Sequence, residues 1–421
     1  MEEWKEYKLG DICGLVPGFA FKSKDFGRGF DIAIKIKDIR PPYIETKDAD
    51  AVDISQYDLK KLTKFLVHKG EFLLAMTGAT IGKIGRYVNE EPAYVNQRVL
   101  IFKDIGSVSY DYLYYYLSME CFQLYVNNHV DSQSAQPNIS SNTIGKYTIR
   151  VPSFQVQQHI ASILKSIDNQ IDLNRRINDN LEQQAQALFK SLFVDFEPFK
   201  DGEFVESEMG MIPKNLIVKR VSEIPHTIET GRRPKGGVGE ITSGVPSVGA
   251  EHVKGLGNYD YSKTKYITEG YAASLKTGKV NGYELLIYKD GGKPGYFIPN
   301  YSIFGEGYPF EECFLNEHVF KLDFGDKGYN AFCYFYFWTD YVMNYLNAQG
   351  GKAAIPGINR QDIENILIYS PENEIVKQYG DFVLPLIRQI LFNCKESRRL
   401  AQLRDTLLPR LMSGKLKVNE L

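Results

Sequence analysis

Two long stretches of the chain carry hydrophobic residues at alternating intervals of three and four, which is the spacing of a heptad seam on a helix. The first runs from Phe154 to Phe196, and the second repeats it 219 positions later. The seam positions are Ile160, Leu164, Ile167, Ile171, Leu181, Ala185, Leu188 and Leu192, then Val383, Leu386, Ile390, Leu400, Leu407 and Leu411. A helix of about 40 residues spans ~60 Å, a stripe too long for one small module to bury.

The rest of the sequence is rich in Gly, Pro, Tyr and short apolar runs such as FLLAM and ELLIY, which predict strands and turns. These stretches predict two globular α+β modules, each followed by one of the helices. The predicted regions are module one, residues 1–153; a central helical spacer, residues 154–198; module two, residues 199–372; and a C-terminal helical spacer, residues 373–421.

The two halves of the chain are copies of each other. Equivalent blocks are Pro137-Asn138-Ile139 and Pro356-Gly357-Ile358 at an offset of 219, GEFLLAM from Gly70 and GYELLIY from Gly282 at 212, and Asn96 and Asn316 at 220. A chance resemblance would not keep its register over so many blocks. The repeat therefore predicts that both modules share one fold.

The two predicted helices most simply bury each other. Because the halves are copies, a pseudo-twofold axis would make the pair antiparallel and place the modules at its opposite ends. Asn174 answers Asn393 and Asn178 answers Ser397, and these polar seam residues would fix the register. The predicted fold is α+β, with two pseudo-twofold-related globular modules separated by a long antiparallel two-helix coiled coil. The alternative is that each helix packs only on its own module.

Composition excludes some classes of protein. The 421 residues include 50 Lys and Arg against 52 Asp and Glu, and this balance excludes a globally basic protein that coats nucleic acid. Five scattered cysteines without metal-ligand spacing predict buried thiols in a reducing cytoplasm. The longest apolar run, Phe332 to Trp338, is too short to span a membrane, so the chain is expected to be cytoplasmic.

The charge is nevertheless patterned along the chain. The segment from Asp195 to Glu208 has six acidic residues and one Lys, which predicts a solvated linker that would repel phosphate. Residues 214–300 hold 13 Lys and Arg against 8 Asp and Glu. Module two therefore has a local basic excess that the total conceals.

Two motifs resemble known sites without fitting them. GATIGK, from Gly78 to Lys83, lacks the spacing and the Ser or Thr of an ATP-binding loop, but its backbone and Lys could contact a nucleic-acid phosphate. A plain hairpin turn is the alternative. RPPY at Arg40 resembles an amino-methyltransferase motif, but Arg cannot accept the hydrogen bond that this motif requires. The sequence predicts no catalytic and no metal-binding residues.

Polar residues suited to base edges stand at equivalent places in the two halves. The triplet from Asn96 to Arg98 answers the triplet from Asn316 to His318, and residues 132–138 answer residues 349–357. Different side chains on equivalent scaffolds would read different bases, with loop solvation as the alternative. The candidate DNA-binding residues are Thr77, Gly78, Thr80, Lys83, Asn96, Gln97, Arg98, Gln133, Ser134, Gln136, Asn138, Arg232, Arg233, Lys235, Lys289, Lys293, Asn316, His318 and Lys352.

Several segments, in this order and within a duplicated chain, are similar to those of type I restriction-modification specificity subunits. They are GEFLLAMTGATIGKIG at Gly70, VNQRV at Val95, SAQPNIS at Ser134, ALFKSLFVDFEP at Ala187 and LLPRLMSGKL at Leu407. The resemblance covers essentially the whole chain. Module two departs from it, with YKDGGKPG where module one has MTGATIGK.

The resemblance implies two target-recognition domains that each bind one part of a bipartite, asymmetric site in double-stranded DNA, with the coiled coil as a ruler for the unread spacer. It also implies two modification subunits and ATP-driven restriction subunits as partners. The specificity subunit itself would hold no cofactor, since S-adenosylmethionine, ATP and Mg belong to those partners. The implied role is non-catalytic.

Candidate partner contacts lie near the ends of the two helices: Phe189, Phe193, Phe196, Leu407 and Leu411. Ordinary coiled-coil packing explains these residues equally well. Two other functions stay open on sequence alone, namely a stand-alone methyltransferase or nuclease, and a pseudo-symmetric protein-protein adaptor.

Overall fold

The computed structural model describes residues 4–130, 137–291, 295–351 and 356–417. The chain divides into two compact units. Unit 1 comprises residues 1–169 and 401–421, and unit 2 comprises residues 170–400. Each unit thus contains one globular module together with a segment of both long helices. No helix within the described residues is long and apolar enough to cross a membrane.

Module one consists of short strands and helices in the order β1 (Lys5–Lys8), α1 (Leu9–Ile12), β2 (Cys13–Pro17), β3 (Phe26–Ile34), β4 (Ile39–Arg40), β5 (Tyr43–Ile44), β6 (Asp50–Val52), α2 (Leu59–Leu62), β7 (Leu66–Val67), β8 (Phe72–Ala75), β9 (Ile84–Arg86), β10 (Ala93–Val95), β11 (Val99–Asp104), α3 (Tyr110–Leu117), α4 (Glu120–Asn128), α5 (Ser141–Gly145) and β12 (Thr148–Val151). The long helix α6 (Phe154–Phe193) follows.

Module two continues with β13 (Phe204–Ser207), β14 (Gly210–Pro213), β15 (Val218–Arg220), β16 (Thr227–Thr230), β17 (Val245–Val248), β18 (Lys265–Ile267), α7 (Glu269–Ser274), β19 (Leu285–Tyr288), β20 (Tyr301–Ile303), β21 (Phe314–Leu315), β22 (Val319–Asp323), α8 (Lys327–Phe337), α9 (Asp340–Gly350), α10 (Arg360–Glu364) and β23 (Leu367–Tyr369). The second long helix is α11 (Glu374–Met412).

The sheets of the two modules repeat one topology. The order β2-β11-β8-β9 in module one returns as β16-β22-β19-β20 in module two. The parallel pair of β3 and β10 returns as β17 and β21, and the antiparallel pair of β1 and β12 returns as β15 and β23. The internal repeat read from the sequence is therefore a repeat of structure.

The module cores are built from the inward faces of these strands and from aromatic helices. In unit 1, α3 packs onto the main sheet, where the rings of Tyr110 and Tyr114 contact Phe72 of β8. Ser109 begins α3 by accepting a hydrogen bond from the Tyr112 amide, and Asp326 begins α8 in the same way. The prediction of buried thiols is confirmed for Cys13, Cys313 and Cys333, but it is wrong for Cys121, which is exposed on α4, and Cys394 is half-buried.

The register between the two copies differs from the one that sequence identity suggests. Aligning Gly70 with Gly282 gives an offset of 212. In the sheets, however, Leu73 pairs with Ile101 and Leu286 pairs with Lys321, which sets the strand offset at 213. Tyr283, with a φ of 71°, takes the left-handed position that Gly70 holds with a φ of 91°. Aligning Gly70 with Gly282 by residue identity therefore shifts the alignment of the two modules by one residue.

The long helices run antiparallel within unit 2. The Asn178 Oδ1 atom accepts a 2.8 Å hydrogen bond from Asn393, and Asn174 donates to Glu396 at 2.7 Å and to Ser397 at 3.3 Å. An offset of 219 exchanges the pair 174 and 397 with the pair 393 and 178, so these contacts obey a local twofold symmetry. The predicted apposition of the polar seam residues is confirmed.

Only some residues of the predicted hydrophobic seam are buried. Ile160 and Leu164 are buried in unit 1, and Ala185, Val383 and Ile390 are buried in unit 2. Most of the remaining seam residues, such as Ile171 and Leu181, are half-buried. The helices also pack on their modules, so the two arrangements considered from sequence coexist. The α+β class and the antiparallel helix pair are confirmed.

Candidate nucleic-acid interface

Three loops of module one meet at the end of strand β8. The Met76 amide donates to the Arg98 carbonyl at 2.9 Å, and the Ile139 amide donates to the Met76 carbonyl at 3.0 Å. Thr77 reinforces the junction, because its Oγ1 atom donates to the Pro137 carbonyl at 2.8 Å. These bonds hold three segments together: the loop after β8, the loop after β10 and the segment from Pro137 to Ile139 before α5.

The predicted reading triplet lies on this frame. Asn96 is half-buried, whereas Gln97 and Arg98 are exposed. The three line a cavity of about 350 Å³ whose other walls are Phe21, Ser23, Phe26, Lys35 and Ile36. The Arg98 guanidinium forms no ion pair within the described part of the chain. An exposed cation thus lines a cavity with polar and apolar walls.

The GATIGK segment is the connection between β8 and β9. The Gly82 amide donates to the Ala75 carbonyl at 2.9 Å, and the Ala75 amide donates to the Lys83 carbonyl at 3.0 Å. Gly78 has a φ of 75°, and the Thr80 hydroxyl is buried without a hydrogen-bond partner in the described structure. Lys83 is exposed beside a different cavity, which Pro41 and Pro42 also line. The backbone is that of a hairpin connection, and Lys83 does not reach the cavity of the triplet.

Five of the predicted residues lie outside the described residues: Gln133, Ser134, Gln136, Lys293 and Lys352. Asn138, at the edge of the first gap, forms an isolated bridge with Thr77. The corresponding bridge in module two joins Asp290 and Gly357. Asn138 therefore belongs to the junction that carries the triplet.

Module two builds the same junction from different residues. The Lys289 amide donates to the His318 carbonyl at 3.0 Å, and the Ile358 amide donates to the Lys289 carbonyl at 2.8 Å. The Gly291 amide donates to the Pro356 carbonyl at 2.9 Å, where Gly78 donates to Pro137 in module one. The backbone bonds are equivalent one by one, although the side chains differ.

A connected polar network occupies the reading position of module two. The Arg233 guanidinium contacts His318 Nε2 and forms an ion pair with Glu317, with 2.6 Å between Nε and Oε1. His318 Nδ1 contacts the Asp290 carboxylate, and the Lys289 ammonium donates to the Glu317 carbonyl at 3.1 Å. An imidazole with its proton on Nδ1 satisfies both of its contacts. The network therefore holds its side chains in one arrangement.

Electrostatics stabilise this network. Burial raises the pKa of the Glu317 carboxyl, but the interaction with Arg233, a backbone hydrogen bond and the nearby His318 together outweigh burial, so the pKa is lowered overall. Asn316 supports the loop by accepting a 2.9 Å hydrogen bond from the His318 amide. Arg233, Lys289, Asn316 and His318 are thus brought together, while Arg232 and Lys235 are exposed in the loop beside Arg233.

One member of the network, Asp290, is not among the residues that the sequence singles out, and Glu317 belongs to the predicted triplet but not to the candidate DNA-binding residues. Asp290 stands where module one has Thr77, because the junction bonds align these positions at an offset of 213. The correct strand register was the signal that could have identified Asp290. Glu317 lies at the centre of a predicted triplet and answers Gln97.

The candidate partner contacts are mostly internal. Phe189 and Phe193 are buried in unit 2, where both rings contact Phe332 and Tyr379. Leu411 is fully buried in unit 1. Phe196 and Leu407 are half-buried. Burial favours the alternative of internal packing for Phe189, Phe193 and Leu411, and leaves a role in partner contact to the two others as a prediction.

Comparisons with known proteins agree with this arrangement. The sequence family described as the type I restriction modification DNA specificity domain matches residues 1–183. The chain is 29% identical to the type I restriction enzyme MjaIX specificity subunit of Methanocaldococcus jannaschii, over 100% of this chain and 95% of that protein. It is 25% identical to the HindI specificity subunit of Haemophilus influenzae, over 99% of this chain and 100% of that protein.

A solved structure supports the fold over the full length. The crystal structure of the S subunit of a type I restriction-modification system from M. genitalium covers 97% of this chain and 96% of its own, with a TM-score of 0.58 and 13% identity. Its likeness extends over both modules and both long helices. The family match in the first half of the chain and the full-length relatives show that this chain is similar to type I restriction-modification specificity subunits.

Proposed function

We propose that this chain is the DNA sequence-recognition subunit of a type I restriction-modification complex, in which each module reads one half of a bipartite, asymmetric target. The observation that carries the proposal is the repeated junction, which presents Gln97 and Arg98 in module one and Glu317 and His318 in module two. Arg pairs with guanine, Gln with adenine and Glu with cytosine in the major groove. Equivalent frames with different side chains would read different half-sites.

The helix pair is proposed to set the unread spacer between the half-sites and to dock two modification subunits. Inserting four residues near Asn178 and four at the symmetry-related point near Ser397 adds ~6 Å of helix. We expect the spacer to lengthen by about one or two base pairs while both half-sites stay unchanged. A complex that keeps the original spacer would contradict the ruler role.

In this proposal the chain is non-catalytic and holds no cofactor. The modification subunits would bring S-adenosylmethionine, and the restriction subunits would bring ATP and Mg. The purified chain is expected to transfer no methyl groups to DNA alone, and to direct methylation to one sequence when modification subunits are added. Methyl transfer by the chain alone would support the stand-alone enzyme instead.

The decisive experiment for recognition exchanges residues 1–153 for module one of the HindI relative and maps methylated bases in the reconstituted complex. One half of the target should change while the other half and the methylation chemistry stay the same. An unchanged target would refute the proposal. A complex that assembles without salt-sensitive, sequence-specific DNA binding would support the protein-protein adaptor.

A further inference from the structure

A four-residue bulge interrupts strand β3 of module one. Phe26 and Asp31 both pair with Val52 of β6, so residues 27–30 lie outside the ladder. Gly27 and Gly29 have φ values of 76° and 80°, in the left-handed region. A Cβ atom on Gly29 would lie 2.5 Å from the Val52 carbonyl oxygen. Both glycines adopt a conformation that other residues rarely take, and Gly29 also lies directly against β6.

Phe30, on this bulge, is the most exposed of the large hydrophobic residues that the structure describes, at 102% relative exposure. It contributes nothing to the packing of its own module. The neighbouring Arg28 is exposed, as are Lys22 and Lys24, and none of the three forms an ion pair within the described part of the chain. A fully exposed aromatic ring thus belongs to a short segment that also carries three exposed cations.

The bulge borders the cavity of the reading triplet. Phe26, the residue immediately before it, lines that cavity together with Asn96, Gln97 and Arg98. The Lys35 ammonium lies 3.5 Å from the centroid of the Phe26 ring and pairs with Asp50 at 2.7 Å, which fixes the base of the bulge. A nucleic acid held by Arg98 would therefore meet the bulge on the same side of the module.

We propose that the bulge from Gly27 to Phe30 is a DNA-contacting element of module one. In this proposal Phe30 packs against a base step in a groove, and Arg28 contacts a backbone phosphate. Single apolar side chains act as wedges between base steps in proteins that deform DNA, with basic residues on the phosphates beside them. This inference rests on the proposed function and adds a mode of contact to it.

The local charge favours DNA over a protein partner. Asp25, the acidic residue nearest to these cations in sequence, is buried, accepts a hydrogen bond from the Tyr57 hydroxyl and forms no ion pair with them in the described part of the chain. Asp53 lies close enough to Arg28 for the guanidinium to contribute to the lowering of the Asp53 pKa, but the two form no ion pair. One projecting ring also offers little area for a protein interface, whereas one ring suffices to contact a base step. Positive charge around a single aromatic residue is complementary to a polyanion with stacked bases.

Module two lacks a counterpart of the bulge. Ala33 and Ser247 are equivalent, because they hold the same place in the parallel pairs of β3 with β10 and of β17 with β21. Residues 26–30 therefore correspond to residues 240–244, whose sequence EITSG has neither an aromatic residue nor a cation. Any distortion of DNA by the bulge should be confined to the half-site of module one.

The test uses the full chain in complex with its modification subunits. The DNA is a duplex that contains the sequence that this complex methylates. Phe30→Ala should weaken binding about tenfold. A 2-aminopurine probe in the first half-site should also lose fluorescence enhancement, while a probe in the second half-site is unaffected. Arg28→Gln should lower the slope of log affinity against log salt by about one. Because Phe30 is fully exposed, its replacement should not impair folding, and circular dichroism checks this.

Ile105→Ala is the matched control, since Ile105 is also exposed but follows the far end of β11. The proposal is overturned if Phe30→Ala binds like this control while Arg98→Gln loses affinity, and the proposed function then stands. It is also overturned if Phe30→Ala weakens assembly with the modification subunits in the absence of DNA. If Arg98→Gln and the exchange of module one both leave DNA binding unchanged, the proposed function fails as well.

Discussion

The two modules share one backbone junction but present their polar side chains in different states. In module one, Gln97 and Arg98 are exposed, and Arg98 has no ionic partner among the described residues. In module two, Glu317 and His318 are held in a network with Arg233. Free side chains lose conformational entropy on binding, whereas a preformed network has already lost it. The backbone junction is therefore the same in both modules, whereas the chemical character of its side chains and the degree to which they are held in place differ.

A second contrast lies within the sheets. In module one the Lys103 ammonium, on β11, is partly exposed and donates to the Glu71 carboxylate at 2.7 Å and to the Leu66 carbonyl at 2.9 Å. These partners sit where β7 and β8 begin. The ammonium thus joins a carboxylate and a carbonyl that lie next to each other at the sheet margin.

In module two the equivalent carboxylate and carbonyl also bind an ammonium group, but this group comes from a different position of the equivalent strand, β22. Lys321 donates to the Lys279 carbonyl at 2.7 Å and lies 3.7 Å from Glu284, whose side chain is 2% exposed. By strand register Lys321 answers Ile101, not Lys103. Glu229 completes the charge balance at 3.2 Å. Each module thus neutralises the equivalent Glu with a Lys, but the Lys of module two lies two strand positions away from that of module one and is more buried.

The largest expected effect follows from this contrast. Lys321→Ile restores the apolar residue of module one but leaves Glu284 buried without its counter-charge, which should cost about 3 kcal/mol of unfolding free energy. Lys103→Ile should cost about 1 kcal/mol, because Lys103 is partly exposed. Urea unfolding, with hydrogen exchange resolved for each module, measures both values. Equal losses in the two modules would remove the distinction.

A second prediction concerns what the two copies share. Asn178→Ala leaves the buried Asn393 amide without its acceptor and should lower the unfolding free energy by about 2 kcal/mol. Asn180→Ala, on the exposed face of the same helix, is the control and should be nearly neutral. Thermal denaturation compares them. If both variants melt alike, the polar seam does not fix the register.

A third prediction transfers the reading residues of module two to module one. The double variant Gln97→Glu and Arg98→His should weaken binding to the natural duplex about tenfold and change base preference only in the first half-site. Competition binding against duplexes altered in one half at a time measures this. Arg150→His, at an exposed position of β12, is the control. A uniform loss for all duplexes would indicate phosphate contact instead of base reading.

The smallest expected effect is the acid response of the module-two network. The pKa of Glu317 is lowered below its ordinary value of about 4.3, so its ion pair stabilises the loop above that pH and is lost as the pH falls through the lowered pKa. The loss should be well under 1 kcal/mol, because the side chain is 40% exposed. Resonances of residues 314–318 should shift between pH 5 and about 3 more than those of residues 94–98. Glu317→Gln should abolish the difference, and its persistence in that variant would assign the response to another group.

Much of the architecture follows from the sequence because it rests on periodicity and repetition. The spacing of apolar residues identifies α6 and α11, and Asn174 and Asn178 contact the partner helix at the predicted seam. The register of the strands was harder, since Tyr283 occupies a left-handed position that residue identity assigns to glycine. No local pattern could distinguish Gly282 from Tyr283 there.

The candidate site was only partly predictable for a related reason. Its residues come from loops that are distant in sequence, so Asp290 joins His318 and Arg233 only after the strands have paired. The bulge that exposes Phe30 depends on both flanking residues pairing with Val52, which no local pattern reveals. The helical pattern also could not decide between partner contact and internal packing for Phe189 and Phe193, which module two covers.

The central claim is that the modules are one frame with two sets of reading side chains. Its most direct test replaces module two by a second copy of module one and maps methylated bases in the complex with modification subunits. The account predicts a target that becomes an inverted repeat, with the former first half-site in both halves. Retention of the natural asymmetric target by that chain would contradict the account.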